Sequence, residues 1–196
     1  MAGRPRQFDR DQVLDKAIGL FWQQGFEATG IAQLSESLGI GRQSLYGTFG
    51  DKRGLYIAAI KRYSDENIGL LRAQLASPGR ALEHLHAVLD GWAARAGEKD
   101  YCGCFLANSC SELGTRDPEV AVLLQRNLAR MAEALQTGIE RAQAEGDIDQ
   151  ATNAQALARA LVNTAQGLST ASKVDPSFAG DTIDQVRRCL LYTSPS

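Results

Sequence analysis

Apolar side chains recur at intervals of three and four residues through most of the chain, and the alternation typical of a half-buried strand is nearly absent. Glycine and proline fall between these periodic segments, where helices are expected to end. The pattern therefore predicts an all-α fold of about nine helices. With cap and stop residues included, the predicted segments are 9–25, 31–38, 42–49, 51–75, 79–96, 105–113, 118–145, 153–173 and 181–191.

Several of these boundaries carry a specific signal. Asp9 is a predicted N-cap, Gln12 completes a capping box with it, and Gly25 is the predicted stop of the first helix. Pro78 is predicted in the first turn of the fifth helix, and Asp181 is the predicted cap of the last. Beyond residue 191 the helical pattern stops abruptly, so residues 192–196 are predicted to be a non-native tail.

The second and third helices are short and meet at Gly39, a spacing typical of a helix-turn-helix. Glycine allows the positive φ that so tight a turn needs. Apolar residues are placed to lock the two helices together: Leu34, Leu38, Ile40 and Leu45. Outside on the third helix remain side chains that can hydrogen-bond to base edges in a major groove, namely Arg42, Gln43, Ser44 and Thr48.

Charge along the 196 residues is distributed unevenly, although the net charge is only −2. Residues 1–62 hold an excess of three positive charges, and the rest of the chain holds an excess of five negative charges. A basic head on an acidic body points to nucleic acid or a membrane at one end. No apolar stretch is long enough for a membrane helix, and no signal-peptide core follows the basic N-terminus, so we expect a cytoplasmic protein without a membrane partner.

Residues 8–62, which include this helix-turn-helix, resemble the DNA-binding domain of the TetR (tetracycline repressor) family of bacterial transcriptional regulators. Segments 20–29 and 39–55 carry the resemblance. It implies an N-terminal DNA-binding domain over residues 1–50, with a fourth helix from about residue 51 as the link. It also implies a C-terminal effector-binding and dimerisation domain over residues 51–191.

The resemblance implies roles for individual residues of the head. Arg42, Gln43 and Ser44 would stand at the front of the recognition helix, and Tyr46 and Lys52 would contact backbone phosphate. Thr29 would cap the second helix beside a phosphate. Three positions depart from the family pattern and weaken or narrow these contacts: Gly30, Ala32 and Gly41.

The basic residues before the first helix have two interpretations. Arg4 and Arg6 can enter a minor groove or lie along phosphate as a flexible arm. They can equally be solvated terminal charges.

Two short helices read one half-site, so double-stranded operator DNA calls for a homodimer. The resemblance places the interface on the last two helices, where the apolar stripes are Leu157, Leu161, Ala165, Leu168, Ile183, Val186 and Leu190. The alternative is that these stripes pack only within their own subunit. Helices 4 to 7 would enclose a small-molecule effector, with candidate lining residues Tyr63, Trp92, Cys104, Phe105, Asn108 and Met131.

The segment Cys102-Gly103-Cys104 is similar to a Gly-Cys segment that opens helix 6 in one TetR subgroup, some of whose members sense electrophiles or oxidants. A thiolate at a helix N-terminus is favoured by the helix dipole, so Cys104 is a candidate sensor that Cys102 or Cys110 could resolve. Metal binding with His84 or His86 is a weaker alternative, because Cys-x-Cys is not the usual zinc spacing. A third interpretation is that these cysteines are only buried thiols of the hydrophobic core.

We therefore expect a dimeric repressor that a small-molecule, electrophile or oxidant signal releases from its operator, with no cofactor and no metal. The sequence contains no nucleophile–base–acid set and no phosphate-cradling glycine motif, so an enzyme is not expected. A dimeric helical sensor or scaffold that has lost DNA binding is the alternative, and Gly30, Ala32 and Gly41 are its support.

Overall fold

A computed structural model describes residues 8–192, and this part of the chain consists of nine α-helices without a strand. The all-α class and the number of helices are therefore confirmed. The helices are α1 (Arg10–Gln24), α2 (Ile31–Leu38), α3 (Arg42–Phe49), α4 (Lys52–Leu75), α5 (Ala81–Ala96), α6 (Phe105–Leu113), α7 (Pro118–Ala144), α8 (Ala154–Ala171) and α9 (Ser177–Tyr192).

The capping signals place most of these boundaries. The Asp9 carboxylate accepts hydrogen bonds from the backbone N–H groups of Asp11 and Gln12, at 2.8 and 3.4 Å, which confirms it as the N-cap of α1. Gly25 ends the helix with a φ of 83°. Asp117 caps α7 in the same manner, immediately before Pro118 at the first helical position.

Two predicted boundaries are wrong. Pro78 lies in the turn before α5 rather than in its first turn, because that helix begins only at Ala81. Asp181 lies inside α9, which begins at Ser177. The Asp175 carboxylate accepts a hydrogen bond from the Ser177 N–H at 2.9 Å, so Asp175, rather than Asp181, lies at the start of α9.

The last helix ends at Tyr192, so it includes the first residue of the predicted tail, and residues 193–196 lie outside the described part. Between residues 8 and 192, no helix combines the length and apolar character that a membrane span requires.

Two hydrophobic cores lie along the molecule. The first joins α1–α4 to α6 and to Val120 and Leu124 at the start of α7. The second joins α5, the rest of α7, α8 and α9. Because α6 and α7 contribute to the first core, the N-terminal helices are packed against the C-terminal helices rather than separated from them by a linker.

An ion pair reinforces the junction between the N-terminal helices and α7. The Arg53 guanidinium donates two hydrogen bonds to the Asp117 carboxylate, at 2.5 and 2.8 Å. These bonds lower the pKa of Asp117 to about 2. The same carboxylate caps α7, so one side chain fixes both the start of α7 and its position against α4.

Candidate nucleic-acid interface and interior cavity

The turn between α2 and α3 is closed by Gly39, which adopts the left-handed conformation with φ 67° and ψ 27°. Its N–H donates to the Glu36 carbonyl, and the N–H of Ile40 donates to the Ser35 carbonyl, both at 3.2 Å. This geometry is the helix-ending motif that favours glycine. The four residues predicted to lock the helices together are all buried: Leu34, Leu38, Ile40 and Leu45.

Polar side chains occupy the outer surface of α3. Arg42, Gln43 and Ser44 are exposed in its first turn, and Tyr46 is 46% exposed in the second. Thr48 is half-buried. The helix N-cap, Gly41, makes no side-chain hydrogen bond, so the first N–H groups of α3 remain available to an anion. The structure therefore presents the predicted reading face to solvent.

Thr29 does not have the position that the resemblance implies. Its side chain is fully buried, and its hydroxyl donates a hydrogen bond of 2.5 Å to the Gly25 carbonyl. The N-cap of α2 is Gly30, which has no side chain to offer. The predicted capping role is therefore wrong, because the hydroxyl closes the turn after α1 instead of facing a phosphate.

Lys52 lies at the start of α4, but its ammonium group faces the turn between α1 and α2. It donates to the carbonyls of Phe26 and Thr29, at 2.8 and 3.1 Å, and lies 4.3 Å from the centre of the Phe26 ring. A phosphate contact through Lys52 would share or replace these bonds. Arg4 and Arg6 lie outside the described residues.

A cavity of about 310 Å³ is lined by residues of α4, α5, α6, α7 and α8, and by Trp22 of α1. Four predicted lining residues face it: Tyr63, Trp92, Cys104 and Met131. Phe105 and Asn108 do not line it, so their predicted role is wrong. Phe105 is 1% exposed within an aromatic cluster, and the Asn108 amide donates to the Cys102 carbonyl at 2.9 Å.

Sequence reasoning missed several polar residues of this cavity, notably Arg95, Gln166 and Ser169. Arg95 could have been found, because it lies three residues after Trp92 on the same face of α5. The α8 residues could not, because α8 was assigned to the subunit interface and was not expected to close the cavity.

Cys104 is the N-cap of α6, and its N–H donates to the Ser169 hydroxyl at 2.7 Å. Its sulfur lies 3.9 Å from the hydroxyl of Tyr63, whose pKa is raised by burial. Burial also raises the pKa of Cys102 and Cys110, which keeps both as neutral thiols near pH 7. Within the described chain all cysteines are free, and no cluster of His, Cys, Asp and Glu side chains could hold a metal ion.

Comparisons with known proteins agree with the geometry of both halves. A family model described as bacterial regulatory proteins of the tetR family matches residues 13–59, and one described as the tetracyclin repressor-like C-terminal domain matches residues 81–188. The HTH-type transcriptional repressor ComR of Escherichia coli (strain K12) is 37% identical over 180 residues, which cover 90% of this chain and 85% of ComR. The chain belongs to the TetR family.

Further relatives support this assignment. The uncharacterized HTH-type transcriptional regulator YezE of Bacillus subtilis (strain 168) is 33% identical over 174 residues, covering 88% of this chain and 90% of YezE. A cysteine mutant of the TetR family regulator CifR, solved with 26-bp double-strand operator DNA, is 28% identical with a TM-score of 0.80, covering 95% and 98% of the two chains. Reduced NemR of E. coli shares the fold, with a TM-score of 0.83 at 16% identity over 95% and 97%.

As a TetR family member, the protein is a DNA-binding transcriptional regulator. Its predicted dimer stripes need correction, because four of the seven residues are buried within the subunit: Leu161, Leu168, Ile183 and Leu190. They pack in the second core against α5 and α7. Leu157, Ala165 and Val186 are half-buried, and Ala165 lines the cavity.

Proposed function

We propose that this TetR family regulator is a dimeric repressor that leaves its operator when a small molecule occupies the interior cavity. The DNA-binding half of this proposal rests on the first turn of α3, where Arg42, Gln43 and Ser44 face solvent beside an uncapped helix N-terminus. The effector half rests on the cavity beside α1. An effector that prefers a subunit arrangement with wrongly spaced α3 helices shifts the population away from DNA.

The outward faces of α8 and α9 support the dimer. On α8 the exposed residues Ala156, Ala160, Asn163 and Gly167 follow one another at helical spacing, and three of the four are alanine or glycine. Such small side chains let a second helix approach closely. On α9 the Phe178 ring is 54% exposed and adjoins a surface depression that reaches Cys189. We infer that these outward faces, rather than the buried stripes, form the subunit interface.

Hydrogen bonds at both ends of α6 connect it to α1 and to the turn after α1, and they offer a route for the signal. Before the helix, the Trp22 indole N–H donates to the Gly103 carbonyl at 2.8 Å. At its end, the Glu112 carboxylate accepts hydrogen bonds from the N–H groups of Phe26 and Glu27, at 2.9 and 2.8 Å. Because Trp22 also lines the cavity, a ligand that displaces it acts directly on α1.

The position of Cys104 allows the signal to be a reactive compound, an electrophile or an oxidant. Its thiol lines the same cavity, one residue after the carbonyl that Trp22 contacts. An electrophile or oxidant that reached this thiol would change the same contact as a reversible ligand. We therefore propose both kinds of signal at one site.

An Arg42→Ala variant tests the DNA-binding part. We expect about 10- to 100-fold weaker binding to the promoter DNA beside the protein's own gene, since a bidentate arginine–guanine pair contributes about 1–3 kcal/mol. A gel-shift series over salt concentration gives the affinity. Arg126 is an exposed arginine on α7, so Arg126→Ala is the matched control and should bind like the wild type.

Equal operator affinity in the Arg42→Ala and Arg126→Ala variants would refute this reading of α3. No binding by the wild type at low salt, with an intact helical circular dichroism spectrum, would instead favour a helical sensor without DNA binding.

A Glu112→Gln variant tests the hydrogen bonds at the end of α6. The amide keeps one acceptor oxygen but places its NH₂ group against a backbone donor, so at least one charge-assisted bond is lost, at about 1.5–3 kcal/mol. We expect the amide protons of Phe26 and Glu27 to exchange with solvent about tenfold faster in hydrogen–deuterium exchange. Glu66→Gln on the exposed face of α4 is the control. Unchanged exchange at both amides would show that Glu112 does not hold the turn.

A further inference from the structure

The chemistry of the cavity wall restricts what the cavity can hold. Its deeper part is apolar and aromatic, with Trp22, Tyr63, Trp92 and Met131 among the lining side chains. An apolar or aromatic body of a ligand would replace water against these surfaces, which is the main source of affinity in small-molecule sites.

Charge in the wall has a single sign. Within the described residues, Arg95 is the one charged side chain that lines the cavity, and no Asp or Glu does. Arg95 on α5 is an exposed residue of the cavity lining, as are Gly91 on the same helix and Leu70 on α4, which is 65% exposed. The guanidinium therefore stands at the mouth, where a ligand enters.

The Arg95 guanidinium has no ion-pair or side-chain hydrogen-bond partner within residues 8–190, whereas three of the other six arginines on α5–α9 are paired with carboxylates, for example Arg130 with Asp65 and Arg141 with Glu145. Its positive charge reaches into the cavity, since it partly offsets the rise that burial causes in the pKa of Tyr63 and Tyr101. A guanidinium in this position is a ready donor for a carboxylate or phosphate.

The uncharged polar groups of the wall divide into two sets. The Asn67 amide already donates to the Tyr63 carbonyl at 2.8 Å, and the Asn127 oxygen already accepts from the Ser64 hydroxyl at 2.6 Å. Gln166 on α8 also lines the cavity, and among the described residues its amide group makes no hydrogen bond. Its amide is available to a polar group of a ligand in the cavity.

We infer that the ligand of this cavity is an organic anion with an apolar body, bound with its carboxylate or other acidic group at Arg95 and its body against the tryptophans. The regulatory meaning of this ligand rests on the proposed effector role, but the chemical class does not. A cation would meet the positive charge of Arg95 with no carboxylate in the wall to offset it, and a neutral ligand would leave the guanidinium unused.

The chain carries its own reporter for the test, because its two tryptophans, Trp22 and Trp92, both line the cavity. Tryptophan fluorescence is titrated with two matched pairs of probes, octanoate against octanamide and 4-phenylbutyrate against 4-phenylbutanamide. We expect each carboxylate to bind about tenfold more tightly than its amide. Arg95→Gln should weaken the carboxylates about tenfold and leave the amides unchanged, whereas Arg95→Lys should keep most of the preference.

Arg116→Gln, an exposed arginine in the turn between α6 and α7, is the control and should retain the preference for the carboxylates. Equal affinities of acid and amide, a preference unchanged in Arg95→Gln, or no fluorescence response to any probe at millimolar concentration would each overturn the inference.

The same probes in the gel-shift assay separate this inference from the proposed function. Arg95-dependent binding of octanoate without an effect on operator affinity would support the ligand class and refute the effector role. Intact operator binding with no response of the tryptophans to the carboxylates would refute the ligand class and leave the DNA-binding function standing.

Discussion

An Ala160→Glu substitution on the outward face of α8 is expected to produce a folded monomer whose operator affinity is about 100- to 10,000-fold below that of the wild type. Ala160 is exposed in the isolated subunit, so the glutamate is accommodated there at little cost. In the proposed dimer it would place a carboxylate in a close helix contact and, by symmetry, near its own copy. A monomer binds a single half-site. It therefore loses the high effective concentration at which the second α3 of a dimer meets the other half-site.

Sedimentation and a gel shift on the full operator measure the two parts of this prediction. Ala129→Glu is the matched control, since Ala129 is an exposed alanine in the interior of α7 and lies on neither α8 nor α9. It should remain dimeric and bind normally. A dimeric Ala160→Glu protein with wild-type affinity would place the interface elsewhere.

The interface residues show what a sequence pattern leaves open. Leu161 and Leu168 repeat at helical spacing, and this repeat predicted correctly that one face of α8 is buried. It could not show which neighbour covers that face. In the structure the neighbours are α5 and α7 of the same chain, which leaves the smaller residues Ala156 and Ala160 on the outside. Apolar periodicity measures burial, and burial is the same whether the partner is intramolecular or intermolecular.

The helix-turn-helix was the most predictable part because its signals are local. Gly39 and the apolar positions around it determine the turn within a few residues, so the bounds of α2 and α3 are those predicted. Glu112 is the opposite case, since the N–H groups that it binds lie about 85 residues earlier in the chain. Nothing near Glu112 in the sequence marks that pairing. Arg95 is a similar case, because the rest of the cavity wall around it comes from helices distant in sequence.

A Phe21→Ala substitution in α1 is expected to lower the free energy of unfolding by about 3–5 kcal/mol. Phe21 is 2% exposed, and its ring meets the edge of Tyr56 with 4.9 Å between ring centres. Tyr56 in turn contacts Phe105 of α6 at 5.6 Å, and its hydroxyl is hydrogen-bonded to Ser109 at 2.7 Å. Removing the ring leaves a cavity where α1, α4 and α6 meet.

Because this cluster belongs to a core that α1–α4 share with α6 and α7, the loss of stability should not be confined to α1–α4. In a Trp22→Phe background the remaining tryptophan, Trp92 of α5, reports on the C-terminal helices, and urea denaturation followed by far-ultraviolet circular dichroism and by its fluorescence should shift to lower midpoints together. Leu70→Ala, at a side chain that is 65% exposed, is the control and should change stability by less than about 0.5 kcal/mol. A midpoint shift limited to one probe would mean that the head unfolds independently, and the contacts of α6 with α1 could then not transmit a signal from the cavity to α3.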